Sequence, residues 1–259
     1  MPDFDISWER GLVKKFSVAN IRGFNWGNET ADRRSFYNPV ENSFGIQILQ
    51  ENVSNDPGEK GFKREVEVLM GEGHWLLNTA TSVDDQRIKM TQRLTCLDKS
   101  LFQDFVMRFC FSKASFDLAR IAGKTIRHNN SNIWHQYPVK EVILENELSQ
   151  LSVKVAGAET AGKFRQEMYV RDEPDHWIVH ARMVPVEPYA LYWIRWSNRL
   201  FRLSLGARVS SLLLSIGPLR RALWYLGERK GGRPNFQAQG LACLARGEEL
   251  SLEVDVQLK

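Results

Sequence analysis

The segment "IRHNNSNIWHQYPVKEV", residues 126–142, concentrates side chains that could do chemistry on a polar ligand. It sets His128 and His135 among four amide side chains, a tryptophan and a tyrosine. An imidazole can exchange protons near neutral pH. Amide side chains can satisfy pairs of hydroxyl groups, and an aromatic ring can pack on the apolar face of a sugar. These residue types therefore favour a carbohydrate as the ligand.

A second segment, "MYVRDEPDHWIVHAR" (residues 168–182), has the pattern of a β-hairpin. Strand alternation places Tyr169 and Arg171 on one face of its first strand, and His180 and Arg182 on one face of its second strand. If residues 133–137 are also extended, His135 shares a face with Tyr137. We predict that one sheet face collects all six residues, namely His135, Tyr137, Tyr169, Arg171, His180 and Arg182.

This face suggests acid–base chemistry on an acidic sugar. Removing a proton beside a uronate carboxylate needs a base such as His or Tyr, and a cation that neutralises the developing enolate charge. Arginine can hold a carboxylate through two parallel hydrogen bonds. The catalytic candidates are His135, His180, Tyr137 and Tyr169. The substrate-binding candidates are His128, Asn130, Asn132, Trp134, Arg171, Arg182, Glu41 and Asn42.

Each of these residues also has a structural interpretation. A histidine on a strand is often a hydrogen-bonded structural residue, and His74 and His176 are best read in that way. The run of residues 129–132 is typical of turn chemistry. A divalent metal is a weak alternative, because His128, His135 and His180 could converge with Asp175 or Glu167 as an oxygen ligand, but no metal-motif spacing is present. The sequence does not identify a cofactor.

The elements that must position these residues are mostly strands. In "ELSLEVDVQL" (residues 249–258), apolar and polar residues alternate as in a strand with one solvated face. "FKREVEVLM", "RIKMTQRLTC" and "LSVKV" repeat the alternation, whereas "FVMRFCF" is apolar on nearly both faces and should lie centrally. More than a dozen such segments, separated by turn residues, predict an all-β fold. We expect one large antiparallel β-sandwich, supersandwich or jelly-roll-like, over residues 1–259.

One region breaks this pattern and predicts a basic amphipathic helical insertion at residues 198–232. The formal net charge of the chain is +4, yet residues 195–233 hold nine basic residues and one acidic residue. Apolar residues there recur with helical spacing on either side of Pro218. Such a segment could lie on an anionic membrane, where lipid-linked glycan would be a sensible substrate. Alternatively, its apolar stripes pack on the sandwich. Nucleic acid is an unlikely partner, because no aromatic stacking platform accompanies the arginines.

Other sequence features exclude several protein classes. No apolar run is long enough to span a membrane and no secretory signal begins the chain, so we expect a cytoplasmic protein, peripheral to the inner face of the membrane if the insertion docks there. The three cysteines are few and far apart, which indicates reduced thiols. The hydrolase elbow G-x-S-x-G is absent, and "GKT" lacks the spacing of a phosphate-binding loop.

The C-terminal stretch "LARGEELSLEVDVQL" resembles the end of large carbohydrate-active sandwiches of the galactose-mutarotase and polysaccharide-lyase type. The resemblance covers about fifteen residues and implies a sugar site of His, Tyr, Arg and acidic residues on a concave sheet. We therefore expect a carbohydrate-active enzyme of the lyase, epimerase or hydrolase kind. The alternative is a noncatalytic glycan- or lipid-binding module that docks to a membrane or protein partner through its basic helices.

Overall fold

The computed structural model describes residues 4–32, 35–40, 43–55, 60–71, 73–84, 87–131, 134–186, 190–196, 199–201, 205–220 and 236–259. The strands of the first half are β1 (Asp5–Glu9), β2 (Leu12–Val18), β3 (Ile21–Ala31), β4 (Phe36–Tyr37), β5 (Ile46–Asn55), β6 (Gly61–Met70), β7 (Gly73–Val83), β8 (Arg87–Cys96), β9 (Ser100–Phe102), β10 (Asp104–Ser112), β11 (Leu118–Ile121) and β12 (Lys124–Arg127). The second half forms β13 (Trp134–Tyr137), β14 (Glu141–Glu145), β15 (Gln150–Glu159), β16 (Phe164–Asp172), β17 (His176–Pro185), β18 (Ala190–Trp196), β19 (Arg199–Phe201), α1 (Ala207–Ser215), α2 (Gly217–Arg220), β20 (Phe236–Leu244) and β21 (Glu249–Leu258).

The strands form two large antiparallel sheets and one small one. The eight-stranded sheet has the order β1-β2-β3-β10-β17-β16-β13, with β4 beside β3. The nine-stranded sheet has the order β12-β11-β14-β15-β21-β8-β7-β6-β5. A four-stranded sheet, β19-β18-β20-β9, adjoins them. The fold is thus an all-β antiparallel sandwich with a short helical insertion, as the sequence predicts.

The core lies between the two large sheets, because alternate residues of their strands are apolar. In β21, the core-facing residues Leu250, Leu252, Val254 and Val256 are buried, Leu258 is partly buried, and the intervening residues are partly or fully exposed, as the alternating sequence predicts. Three large side chains of the eight-stranded sheet, Trp26, Phe109 and Phe111, pack edge to face. Trp75 of the nine-stranded sheet packs on Phe102. Burial of these apolar faces drives the pairing of the sheets.

A network of charged side chains joins the two large sheets at one edge. Glu51 of β5 accepts hydrogen bonds from the Nε atoms of Arg10 at 3.1 Å and Arg64 at 2.8 Å. The Arg64 side chain is fully buried and also donates to the hydroxyl of Tyr37. Arg10 belongs to the β1–β2 turn and Tyr37 to β4, and both of these are parts of the eight-stranded sheet. Glu51 and Arg64 belong to the nine-stranded sheet. The network therefore ties one sheet to the other.

Strand β5 forms one end of the nine-stranded sheet. It pairs with β6 on one side, and within the described parts of the chain no strand pairs with its other side. Three of its apolar side chains, Ile48, Leu49 and Val53, are exposed by 37%, 45% and 43%. An unpaired strand edge with exposed apolar residues can pair with another strand.

The helices α1 and α2 lie between β19 and β20, within the segment predicted to be helical. Residues 221–235, which include much of the second predicted helix, lie outside the described residues. The side chains of Val209, Leu212 and Ile216 are exposed by 48%, 66% and 49%. Among the described helices, none has the length and hydropathy that crossing a bilayer requires.

Candidate functional site

A polar cluster lies on the outward face of the eight-stranded sheet, which is the face turned away from the core. Trp177, Val179, Ala181 and Met183 of β17 face the core, so the intervening His180 and Arg182 face outward. The strand register sets five residues side by side across β3, β10, β17, β16 and β13. They are Gly27, Arg108, His180, Tyr169 and Gln136. We call the outward side chains of Arg108, His180, Tyr169 and Gln136, together with the charged side chains that contact them, the His180 cluster.

His180 is at the centre of the cluster. Its ring stacks on Tyr169 with centroids 4.7 Å apart, and its Nε2 lies 4.0 Å from Oε2 of Glu29. Nε2 is buried and has no hydrogen-bond partner among the described residues. Burial lowers the pKa of His180 well below its usual value, and the positive charges of Arg182, Arg108 and Arg171 lower it further. The imidazole is therefore neutral near pH 7 and can accept a proton.

Tyr169 stays protonated beside this histidine. Burial raises the pKa of Tyr169 to about 12, although the nearby guanidinium groups of Arg171 and Arg182 act in the opposite direction. Its hydroxyl can therefore donate a hydrogen bond or a proton at neutral pH, but it is a poor base.

The two arginines predicted to hold an anion are already engaged by carboxylates. Arg182 binds Asp104 through Nε at 3.3 Å and through a second, shorter bond from Nη2. Its Nη1 donates to the side-chain oxygen of Gln136 at 2.8 Å. Arg171 pairs with Glu173 at 2.8 Å. These pairings fix the guanidinium groups, which then act on the cluster through their charge.

Glu29 and Arg108 complete the cluster, although neither was predicted from the sequence to be a site residue. Arg108 Nη1 lies 2.9 Å from Oε1 of Glu29, and Asn38 Nδ2 donates to the same oxygen at 3.2 Å. Arg108 is the only charged residue within the apolar stretch "FVMRFCF". Charged groups are rarely buried without a partner, so this arginine was the signal that could have revealed the site.

A loop reaches this face from the end of β4. A Cβ atom on Gly27 would lie 3.2 Å from Cγ2 of Val40. Glycine therefore lets the loop approach the sheet closely beside Glu29. Glu41 and Asn42, the predicted site residues of this loop, lie outside the described residues.

The prediction that His135 and Tyr137 share a face with His180 is wrong. In the β13–β16 ladder, Gln136 is opposite Tyr169, whereas His135 is opposite Val170 and Tyr137 opposite Met168. Tyr137 consequently belongs to the buried core. Burial, followed by the charge of Lys124, lowers the pKa of His135. The cause of the error is register, since a shift of one residue moves every side chain of a strand to the other face.

His128 is held by a buried carboxylate on the core side of β16. Asp172 accepts hydrogen bonds from the backbone nitrogens of Asn129 at 3.0 Å and Ser131 at 2.9 Å, and from Ser131 Oγ at 3.1 Å. His128 Nδ1 bonds to the other oxygen of Asp172. Asn130 is exposed and has a φ of 57°, which asparagine tolerates well. This part of the polar segment therefore has a structural role as a turn organised by Asp172.

The remaining candidates do not form a metal centre. His128 faces the buried Trp177, with ring centroids 5.5 Å apart, so it lies on the side of the sheet opposite to His180. Within the ranges that the structure describes, no group of three His, Cys, Asp or Glu side chains could hold a metal ion. The backbone of Trp134 pairs with Arg171, and Asn132 lies outside the described residues.

Comparisons with known proteins find similarity at the level of structure. No protein-family model matches the sequence, and no curated protein matches it significantly. A protein of Escherichia coli K12, provisionally named as an aldose 1-epimerase, has a TM-score of 0.46 and 9% identity over 99% of this chain and 95% of its own. A galactose mutarotase-like protein from Clostridium acetobutylicum has a TM-score of 0.45 and 8% identity over 96% and 90%.

A protein from Synechocystis sp. PCC 6803 is similar in the same way, with a TM-score of 0.43 and 10% identity over 99% of this chain and 91% of its own. The names of the Escherichia coli and Clostridium proteins are of the galactose-mutarotase type, which the C-terminal stretch of this chain resembles.

Proposed function

We propose that the protein acts on a sugar by proton transfer at the His180 cluster, in a reaction of the epimerase or lyase kind. The observation that carries the proposal is the state of His180. It is a neutral imidazole whose Nε2 has no partner among the described residues, and it lies between the ring of Tyr169 and the carboxylate of Glu29. A base, a protonated phenol and a carboxylate in contact can accept and return a proton.

The arginines of the cluster favour an acidic sugar in this reaction. The imidazole of His180, whose side chain is 16% exposed, would take the proton from the carbon beside a uronate carboxylate, and the electron pair left behind would move onto that carboxylate as an enolate. Arg108 and Arg182 would stabilise this negative charge without leaving their own carboxylate partners. Delivery of a proton to the opposite face of the same carbon, for which the protonated Tyr169 is the candidate donor, completes an epimerisation, whereas departure of the oxygen substituent on the next carbon, together with a proton, completes a β-elimination.

Proton exchange tests the proposal directly. The protein is incubated with a panel of uronic acids and neutral aldoses in D₂O, and loss of each C–H signal is followed by ¹H NMR. We expect exchange at one carbon with the wild type, and a rate lower by about 10²-fold or more in His180→Gln. His74→Gln is the matched control, because His74 lies on the nine-stranded sheet and bonds to Glu67 at 2.7 Å.

Two results would contradict the enzymatic proposal. One is an equal exchange rate in wild type and His180→Gln. The other is tight binding of a sugar with no exchange and no new product in the whole panel, which would favour the noncatalytic binding module.

A second proposal concerns the helical insertion, which we infer docks on an anionic membrane. Its support is α1 and the residue that follows it, where exposed Val209, Leu212 and Ile216 come after the exposed Arg208. Apolar residues beside basic ones suit the interface of a bilayer with anionic lipid. The glycan substrate would then be one attached to lipid.

Vesicle flotation tests this docking with vesicles that contain phosphatidylserine. We expect the wild type to float with the vesicles and Leu212→Glu to remain in the unbound fraction. Leu148→Glu is the control, because Leu148 is exposed by 87% in the β14–β15 turn. Equal recovery of wild type and Leu212→Glu in the unbound fraction would reject the docking.

A further inference from the structure

The outward face of the nine-stranded sheet carries a groove of its own. The groove has a volume of about 470 Å³ and crosses β5, β6, β7 and β8. Its lining includes Asn52, Ser54, Lys63, Asn78, Thr91 and Arg93. Ligand sites for small molecules commonly measure about 300–1,000 Å³. We infer that this groove binds an acidic oligosaccharide, independently of the reaction proposed at the His180 cluster.

The groove follows from the alternation of side-chain size across the strands. Lys63 is opposite Ala80, and Ala80 is opposite Thr91. In the next row, Glu65 is opposite Asn78, and Asn78 is opposite Arg93. The small residues form a low floor, whereas the long side chains of Lys63 and Arg93 stand at its margins. Adjacent strands are about 4.8 Å apart and successive outward residues of one strand about 7 Å apart, so the Cα atoms of Lys63 and Arg93 are separated by roughly 12 Å.

The cations in the groove are paired with carboxylates less closely than the cations beside it on the same face. Beside it, Lys89 pairs with Glu253 and Arg87 with Asp255, both at 2.7 Å. In the groove, the carboxylate of Glu249 is 4.0 Å from Arg93, and the described residues provide no ion pair for Lys63. Glu65 also lines the groove, so an acidic sugar chain would place its carboxylates at Lys63 and Arg93 and its hydroxyl groups at the amide and hydroxyl side chains.

The shape of the groove favours an extended ligand. A smaller hollow of about 100 Å³ shares Lys63, Ala80 and Thr91 with it and continues to Lys89. An oligosaccharide can run along both hollows and offer hydroxyl groups to Asn52 and Asn78. A nucleic-acid strand fits less well, because the groove is lined without the aromatic side chains on which bases stack.

Binding of trigalacturonate, with the neutral maltotriose as its comparison, tests the inference. The wild type is titrated with each trisaccharide at low salt and pH 7 while ¹H–¹⁵N NMR follows the side-chain amides of Asn52 and Asn78. We expect saturable shifts with trigalacturonate and much weaker shifts with maltotriose. The Lys63→Ser/Arg93→Ser variant should weaken trigalacturonate binding by about 100-fold, which corresponds to about tenfold for each charged contact.

Two control variants separate this groove from other causes. Lys14→Ser/Arg120→Ser removes the same charge from exposed residues that pair with Glu9 and Glu145, and it should retain binding. His180→Gln should also retain binding in the groove, even where it abolishes proton exchange at the His180 cluster. The inference is overturned if trigalacturonate does not bind the wild type, if maltotriose binds equally well, or if the two double variants lose affinity equally. All variants are checked by thermal melting, and the four lysine and arginine positions are exposed.

Discussion

His180, which is partly buried, and Asp172, which is fully buried, lie on opposite faces of one hairpin, and their surroundings give them different roles. Burial and three guanidinium groups keep His180 without its proton, whereas Asp172 keeps its negative charge because four hydrogen bonds stabilise it. The first arrangement leaves a nitrogen atom able to accept a proton. The second commits both oxygens of the carboxylate to hydrogen bonds within the fold, which explains why a chemically rich segment becomes a turn.

Replacing Asp172 by Asn tests this structural role. Burial would raise the pKa of Asp172, but the hydrogen bonds from Ser131 and Asn129, together with the positive charge of His128, lower it below its usual value. The wild-type contribution to stability is therefore present above about pH 4 and is lost as the pH falls below that value. We expect Asp172→Asn to lower the free energy of unfolding by about 2–3 kcal/mol at pH 7.

Urea unfolding between pH 7 and pH 3 measures both effects. Asp172→Asn should also be less sensitive to acid than the wild type. Asp175→Asn, at an exposed position in the adjacent β16–β17 turn, is the matched control and should unfold like the wild type. An unchanged midpoint in Asp172→Asn would contradict the role assigned to this carboxylate.

At the scale of the element, the sequence predicts strands well because alternation is a local property. "RIKMTQRLTC" corresponds to β8, and "FVMRFCF" lies within β10, which pairs on both sides and is central as expected. The face of β17 was predicted correctly, since Tyr169 and His180 belong to one hairpin and lie opposite each other. The face of β13 was predicted wrongly. The residues that pair β13 with β16 are about thirty positions apart in the chain, and the pairing depends on packing that a short window of sequence does not contain.

The contact between β6 and β7 supplies a test at the same scale. A Cβ atom on Gly61 would lie 2.0 Å from the carbonyl oxygen of Thr81, which belongs to the backbone and cannot move alone. We expect Gly61→Ala to lower the free energy of unfolding by about 2 kcal/mol because β6 must shift along β7. Gly157→Ala is the control, since its nearest neighbour would be Cβ of Glu253 at 3.6 Å. Thermal unfolding that is equal in the two variants would contradict the close approach.

At the scale of the whole molecule, the ion pairs of Glu51 join the sheets. Burial would raise the pKa of Glu51, but hydrogen bonds from Arg10 and Arg64 lower it, so the carboxylate stays charged. We expect Glu51→Gln to destabilise the protein by about 3 kcal/mol, because it leaves the buried Arg64 without a compensating charge. Glu253→Gln removes the partner of the exposed Lys89 and should cost less than about 1 kcal/mol. Chemical denaturation measures the difference, and equal losses would exclude a role for burial.

One border of β5, with which no described strand pairs, affects how these molecules behave towards one another. Eight of the ten residues of β5 are exposed, Ile48, Leu49 and Val53 among them, so this border offers a template on which a second molecule can add a strand. Crowded solutions of the protein should therefore develop intermolecular sheet and turbidity on gentle warming, before the sandwich itself melts. A lysine in place of Leu49 would act as a gatekeeper at this border and keep concentrated samples clear.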